Sequence, residues 1–436
     1  VFEPILERKI LLPELPSYED LLLCIRCGRC LPVCPTYQET VQETFSPRGR
    51  LSLLRAVEDG RLEFTRAVLD HLYHCLDCRA CNAICPAKVT IGQCIVAGRA
   101  AYAGLHGRPW WANLAFRNVL VSARRLELFL PLARFYQRSG LWRVARPLLS
   151  LLPGRLRTLA FMERLLPPLP ARPLHETVAE VTPALGGRKH RVGFFLGCFM
   201  SQLFADVSES TIAVLTRAGC EVVTPAGQMC CGAPHEDQAD PEMARKLARH
   251  NVDLFAKYAD LEVIVTDCAA CAGMCKSYSH LLRGDPEYAD EARAFSARIR
   301  DISEWLAAIM PDDAPLEPVR KKVTYHEPCH LSNLQGIRIP PRQLLKRVPG
   351  LELIEMDDPT ACCGSAGIYN ITHPEMAMKR LQRKMGAIAA TGVGTVVTGN
   401  PGCLLQLRYG AEALGPRVEV LHLTQILAAA WRSDGR

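Results

Sequence analysis

Residues 24–35 read C-I-R-C-G-R-C-L-P-V-C-P, and residues 75–86 read C-L-D-C-R-A-C-N-A-I-C-P. These are two copies of one pattern, Cys24, Cys27, Cys30, Cys34 and then Cys75, Cys78, Cys81, Cys85, each closed by a proline. Thiols two residues apart have the spacing of metal ligands rather than of disulfide partners. The chain has 436 residues and 20 cysteines, about 4.6%, well short of the ~8–10% of a small disulfide scaffold. With 49% hydrophobic residues it can build real cores, so a reduced, metal-loaded globular protein is expected, and the compartment is the cytoplasm. Around the cysteines the apolar spacing is helical, as in R-L-S-L-L-R-A-V-E-D-G and F-T-R-A-V-L-D-H-L-Y-H.

Both runs resemble the bacterial two-cluster ferredoxin pattern. That resemblance implies two [4Fe–4S] clusters, one held by Cys24, Cys27, Cys30 and Cys85, the other by Cys75, Cys78, Cys81 and Cys34. Structural zinc knuckles are the competing reading, but they do not demand the trailing C-P. The long helical spacer between the runs implies a helical ferredoxin with S-P-R-G-R (46–50) as a turn between helices. Cys94 completes no motif and reads as a buried free thiol.

Outward from this domain, residues 108–173 carry twelve arginines against Glu127 and Glu163. The net +7 of the whole chain is therefore concentrated there, which argues against a general nucleic-acid binder. Several short amphipathic helices are expected, then a linker from P-P-L-P-A-R-P (167–173) to near 190. Beyond it, short β-rich runs alternate with helical ones, the pattern of parallel α/β units. Cys198 recurs as Cys329 at an offset of 131; Cys230, Cys231 and Cys271 recur as Cys362, Cys363 and Cys403 at 132. This duplication predicts a pseudo-symmetric pair of lobes, each placing its cysteines at the carboxyl ends of strands, where parallel sheets open a crevice. Adjacent thiols such as Cys230-Cys231 suit different irons of an extended cluster; a vicinal disulfide or a zinc site is the alternative. Cys220 reads as core, and Cys275 as a spare ligand or packing.

The arrangement C-x(31–38)-C-C-G-x(~36)-C-x-x-C resembles the cysteine-rich CCG domain of heterodisulfide reductase, in which pairs of such domains carry noncubane [4Fe–4S] clusters. A two-cluster ferredoxin fused to two CCG domains is similar to the glycolate oxidase iron–sulfur subunit family. It is also similar to the cysteine-rich iron–sulfur subunits of anaerobic glycerol-3-phosphate dehydrogenase and of heterodisulfide reductase. H-E-P-C-H-L (326–331), C-C-G-S-A-G-I-Y-N (362–370) and T-G-N-P-G-C-L-L-Q (398–406) carry the glycolate oxidase likeness. The first repeat, with D-C-A-A-C-A-G-M-C (267–275), is complete and closer to the reductase pattern; in the second, Asn400 stands where a cysteine would. The resemblance implies one or two further clusters, with Cys198, Cys230, Cys231, Cys268 and Cys271 in the first lobe and Cys329, Cys362, Cys363 and Cys403 in the second. His326 and His330 flank Cys329 and either hydrogen-bond a cluster sulfur or relay protons from beside the cluster, or simply bond the local backbone at the proline turn; Asn400 is likewise expected beside the cluster rather than on it. Five thiolates against four make the two sites unequal, the first suited to the noncubane type.

The expected organisation is a helical ferredoxin domain over 1–105, an Arg-rich connector over 106–189, and CCG lobes over 190–318 and 319–436. No nicotinamide, flavin or nucleotide fingerprint occurs in the sequence, and single-electron clusters need a mediator to take two electrons from a substrate. The reading that follows is an electron-transfer subunit of a flavin-dependent 2-hydroxyacid dehydrogenase, acting on glycolate or D-lactate. FAD-binding subunits would supply electrons and a quinone or membrane redox protein would accept them. A thiol–disulfide reductase and a zinc-stabilised scaffold are the alternatives, separated by their chemistry and by an iron-to-zinc assay. No bilayer-spanning run or signal peptide is expected. Trp110, Trp111 and apolar runs interleaved with Arg124 to Arg146 suggest docking to a partner or peripheral contact with the cytoplasmic face of a membrane; the alternative is a helical layer packing the ferredoxin against the lobes, with its arginines merely solvated.

Overall fold

The computed structural model describes residues 18–121, 123–151 and 157–431; the extreme N-terminus, read above for a signal peptide, lies outside them, as does the side chain of Arg124. Three helices, Pro47–Glu58, Arg66–Tyr73 and Ile91–His106, form the body of the first unit. Their apolar faces meet through Leu51, Leu54, Leu72, Ile91 and Ile95. The S-P-R-G-R stretch is not a turn between helices. Ser46 is an N-cap whose hydroxyl accepts from Gly49 N at 2.9 Å, and Pro47 opens the helix, since its missing N–H costs nothing there.

The Arg-rich stretch is a chain of short helices, among them Leu130–Arg138, Trp142–Ser150 and Arg157–Leu165. It is fastened to the first lobe. Arg117 Nε meets buried Asp240 at 2.7 Å, Arg108 binds the same carboxylate, and Cys230 N donates to Val121 O at 3.0 Å.

The α/β portion holds two sheets. The first contains β1 (Val181–Thr182), β2 (His190–Phe194), β3 (Cys220–Val223), β4 (Val263–Thr266) and β5 (Ile299–Asp301), in the order β1-β3-β2-β4-β5. Only β1 is antiparallel, and it lies before residue 190, so this sheet starts within the stretch read as linker. The second sheet contains β6 (Lys321–Tyr325), β7 (Leu351–Leu353), β8 (Thr395–Thr398) and β9 (Glu419–His422), all parallel, in the order β7-β6-β8-β9. Both central strands, V-I-V-T and T-V-V-T, are buried along their whole length, as parallel strands covered on both faces must be.

The lobes interlock reciprocally. Helix Ile302–Ile309 of the first packs on Ile339–Arg347 of the second, and Leu423–Ala430 of the second packs on Ala205–Arg217 of the first. Each exchanged helix starts with a capping box, Asp301 with Glu304 and His422 with Gln425. Val192, Phe194, Leu306, Tyr325, Leu344 and Leu427 share one core across the junction. The repeat extends to hydrogen bonding: Phe195 N donates to Val265 O at 2.8 Å, and His326 N to Val397 O at 2.9 Å.

Candidate metal centres

The two cysteine loops of the first unit share a backbone signature. Arg26 and Gly28 in one, Asp77 and Arg79 in the other, have positive φ at matching positions, which curls each loop around its cysteines. An alkyl or guanidinium side chain in this region costs about 1–2 kcal/mol. Arg79 is held there by Asp77, which accepts from its Nη2 at 2.9 Å. A cavity is lined by Cys34, Cys75, Cys78 and Cys81, with Pro35, Arg50 and Ile95 closing it. Those are the four thiols expected to share one cluster. Of the other four, Cys24, Cys30 and Cys85 border the adjoining apolar cluster, while Cys27 stands exposed on its loop. Burial pushes the Cys30 thiol up to about 11 and the Cys78 and Cys81 thiols well above their usual range. Thiolates so placed need a cation to offset desolvation, which iron supplies. The donors fit a pair of iron–sulfur clusters.

In the first lobe the thiols follow β2, β3 and β4 and meet at the crevice. Cys198 neighbours Cys230, Cys230 neighbours Cys231, Cys231 neighbours Cys271, and Cys271 neighbours Cys268. S–H donation from Cys230 and then Cys271 holds Cys231 well below the usual thiol range. Asn251 Nδ2 donates to Cys230 O at 3.2 Å and Tyr278 OH to Cys231 O at 2.8 Å, fixing the Cys-Cys backbone from behind. Cys275, fully buried, sits against Cys231 and Tyr278. Cys94 and Cys220 are buried in the cores of their own units.

The second lobe repeats the chain of contacts as Cys329, Cys362, Cys363, Cys403. Cys363 hydrogen-bonds Cys403 and, with His326 beside it, brings that thiol down to about 5. His326, Cys363 and Cys403 present donor atoms all within 4.8 Å of one another. Asn400 lies between the two sites: its Oδ1 accepts from Ala270 N at 3.2 Å and faces Cys268 Sγ at 3.8 Å, while its Nδ2 points to Cys403 Sγ at 3.7 Å. His330 turns away from its own lobe, with Nε2 2.9 Å from Asp77 O in the ferredoxin-like loop.

That contact belongs to an interface the motifs do not announce. Cys78 packs with Leu76, Cys362 and Tyr369, and Cys329 lies against the same group. Asn333 Nδ2 donates to Cys78 O at 3.0 Å and Tyr369 OH to His74 O at 3.2 Å. On the other side, buried Arg99 donates to Leu72 O, Cys75 O and Asp237 Oδ1. The second cysteine loop is thus pinned between both lobes, with its Cys78 thiol against the second-lobe site. Tyr369, Asn333 and Arg99 carry no sequence signal of this role, because their partners lie far away along the chain.

Residues 20–89 match the 4Fe-4S dicluster domain, 107–166 the linker region of the glycolate oxidase iron–sulfur subunit, and 192–276 and 323–408 the cysteine-rich CCG domain. The chain is 39% identical over 425 residues to the probable glycolate oxidase iron-sulfur subunit of Bacillus subtilis, covering 94% of each chain. It is 32% identical over 423 residues to the glycolate oxidase iron-sulfur subunit of Escherichia coli, covering 95% of each. Lactate utilization protein A of Oceanobacillus iheyensis is 30% identical over 237 residues, 54% of this chain and 96% of that one. With a dicluster domain, the linker and both cysteine-rich repeats in one order along its length, the chain belongs to the glycolate oxidase iron–sulfur subunit family.

Proposed function

We propose that this chain carries electrons from a FAD-bearing partner, which oxidises glycolate to glyoxylate, to a quinone or membrane redox protein. D-lactate to pyruvate is the neighbouring substrate reading. The observation that carries the proposal is the packing of Cys78 against Cys362 and Cys329, which sets a ferredoxin-like thiol cluster beside a second-lobe thiol cluster. In this reading Cys24, Cys27, Cys30 and Cys85 hold one [4Fe–4S] cluster, and Cys75, Cys78, Cys81 and Cys34 the other. Cys198, Cys230, Cys231, Cys268 and Cys271 hold a noncubane cluster, and Cys329, Cys362, Cys363 and Cys403 a differently ligated one. Bound clusters would supply the one-electron carriers. The chain's own part is to hold thiolates, exclude water with apolar neighbours such as Leu76 and Ile95, and fix spacing through His330 and Asn333.

Oxidising a 2-hydroxyacid releases two electrons and two protons, which the partner flavin takes before passing electrons on singly. Glycolate added anaerobically to the assembled complex should bleach the visible iron–sulfur absorbance. Faster bleaching by D-lactate would reassign the substrate, and bleaching by neither would overturn the reading. A thiol–disulfide reductase is the second reading, favoured by the unbroken run of five first-lobe thiols; consumption of a disulfide by the reduced protein alone would select it. Among the described residues no helix is long and apolar enough to cross a membrane. The exposed apolar side chains of the Arg-rich helices support peripheral attachment to the cytoplasmic face.

A further inference from the structure

The two lobes repeat one another, and at two positions of their crevices they differ in a compensating way. The matched backbone bonds, Phe195 N to Val265 O and His326 N to Val397 O, make Phe195 the counterpart of His326. The 132-residue offset makes Cys268 the counterpart of Asn400. The first lobe thus has a thiol at one position and, at the other, a phenyl ring stacked on Phe255 with centroids 6.1 Å apart. The second has an amide and an imidazole.

The amide is already engaged by the first lobe, since Asn400 Oδ1 accepts from Ala270 N. The imidazole is turned to the second-lobe thiols instead. His326 is 1% exposed, its ring nitrogens have no nitrogen or oxygen partner, and the group its ring meets is the Cys403 thiol. One of its ring nitrogens and the sulfurs of Cys363 and Cys403 all lie within 4.8 Å of one another. A neutral imidazole is a competent iron ligand, and a nitrogen donor in place of a thiolate removes negative charge from the centre and raises its potential.

We infer that His326 is itself an iron ligand of the second CCG site, taking the place of the thiolate that Asn400 lacks. The ligand set there is Cys329, Cys362, Cys363, Cys403 and His326, against five thiolates in the first lobe. The second site is then the higher-potential member of the pair. This rests on the reading of the second lobe as an iron–sulfur site, and the experiment separates the two.

The full-length chain is isolated anaerobically as wild type, His326→Ala, His326→Cys and Cys362→Ser, with iron, zinc and sulfide counted in each. Cys362→Ser should lose the iron of one cluster; if it loses none, or loses zinc, the second lobe holds no iron–sulfur cluster and the inference falls with that reading. With iron present, pulsed paramagnetic resonance of the wild type should show a strong nitrogen coupling that changes on labelling histidine with 15N. His326→Cys should keep the iron, lose that coupling and lower the site's potential, while His326→Ala should lose coupling and iron together. 57Fe Mössbauer spectra, which need no paramagnetic state, should show one distinct iron that His326→Cys abolishes. A second site that holds iron but shows no histidine coupling, or whose spectrum and potential are unmoved in both His326 variants, would overturn the assignment.

Discussion

Each C-C-G motif ends in a glycine whose backbone no other residue adopts without strain, Gly232 at φ +93° and Gly364 at φ +91°. The two are not equally constrained. A Cβ at Gly364 would sit 2.5 Å from the backbone oxygen of Ala377, whereas one at Gly232 would meet Ala244 atoms at 3.4 Å or more, ordinary contact. Gly232→Ala should therefore cost about 1–2 kcal/mol, the strain of the conformation alone. Gly364→Ala should cost more and release second-site iron, because helix Pro374–Thr391 must move. Thermal unfolding and iron counts compare them, and equal losses would mean that the helix yields freely. Tyr278 gives a second contrast. Its hydroxyl donates to Cys231 O and accepts from Asn251 Nδ2 at 3.3 Å, all in buried surroundings. Tyr278→Phe should cost about 1–3 kcal/mol and speed chelator removal of first-site iron only. Equal loss from both lobes would show that the hydroxyl does not act locally.

Among elements, the Arg-rich helices look different in space than in the sequence. Of the twelve arginines there, Arg134 pairs with Glu127 at 2.5 Å, Arg146 with Glu163 at 2.8 Å, and Arg108 and Arg117 with Asp240. The basic charge is partly spent on holding the linker together and to the first lobe. Beside the exposed Arg138 and Arg143, what it leaves outward is largely apolar: Trp110, Leu128, Phe129, Leu132, Phe135, Leu148 and Leu151 are all exposed. Binding to vesicles should therefore depend more on buried apolar area than on charge. Flotation with anionic vesicles should show attachment that survives moderate salt and weakens about tenfold or more in Leu132→Asp, since one buried leucine is worth about 1.5–3 kcal/mol. Attachment abolished by salt and indifferent to Leu132 would point to charge alone. The cysteine motifs, the duplication and the strand-following thiols were legible because ligand spacing and parallel-sheet texture are local patterns. Residues 46–50 read as a turn because Pro and Gly also mark turns, whereas the Ser46 cap makes them the start of a helix. The arginine partners of Asp240 lie more than a hundred residues away, a distance that no local pattern reports.

At the scale of the whole molecule, the decisive feature is which thiol clusters meet. The second ferredoxin-like loop lies against the second lobe through Cys78, Cys362 and Cys329, with His330, Asn333 and Tyr369 bonding across the same seam. It reaches the first lobe through Arg99 and Asp237, a seam of polar bonds in which, among the described residues, no thiol of one unit packs on a thiol of the other. The first and second lobes meet in turn where Asn400 lies between Cys268 and Cys403. The order of sites is therefore ferredoxin-like pair, second lobe, first lobe, which is not their order along the chain. Magnetic interaction between paramagnetic centres falls with the cube of their separation, so neighbours in this order should broaden or split each other's resonance. In the partly reduced protein the signal of the Cys75, Cys78, Cys81 and Cys34 centre should be broadened by its second-lobe neighbour. Cys362→Ser should sharpen it, and Cys230→Ser, which empties the more distant site, should leave it as it was. Sharpening by Cys230→Ser alone would place the first lobe next to the ferredoxin-like pair and reverse the path.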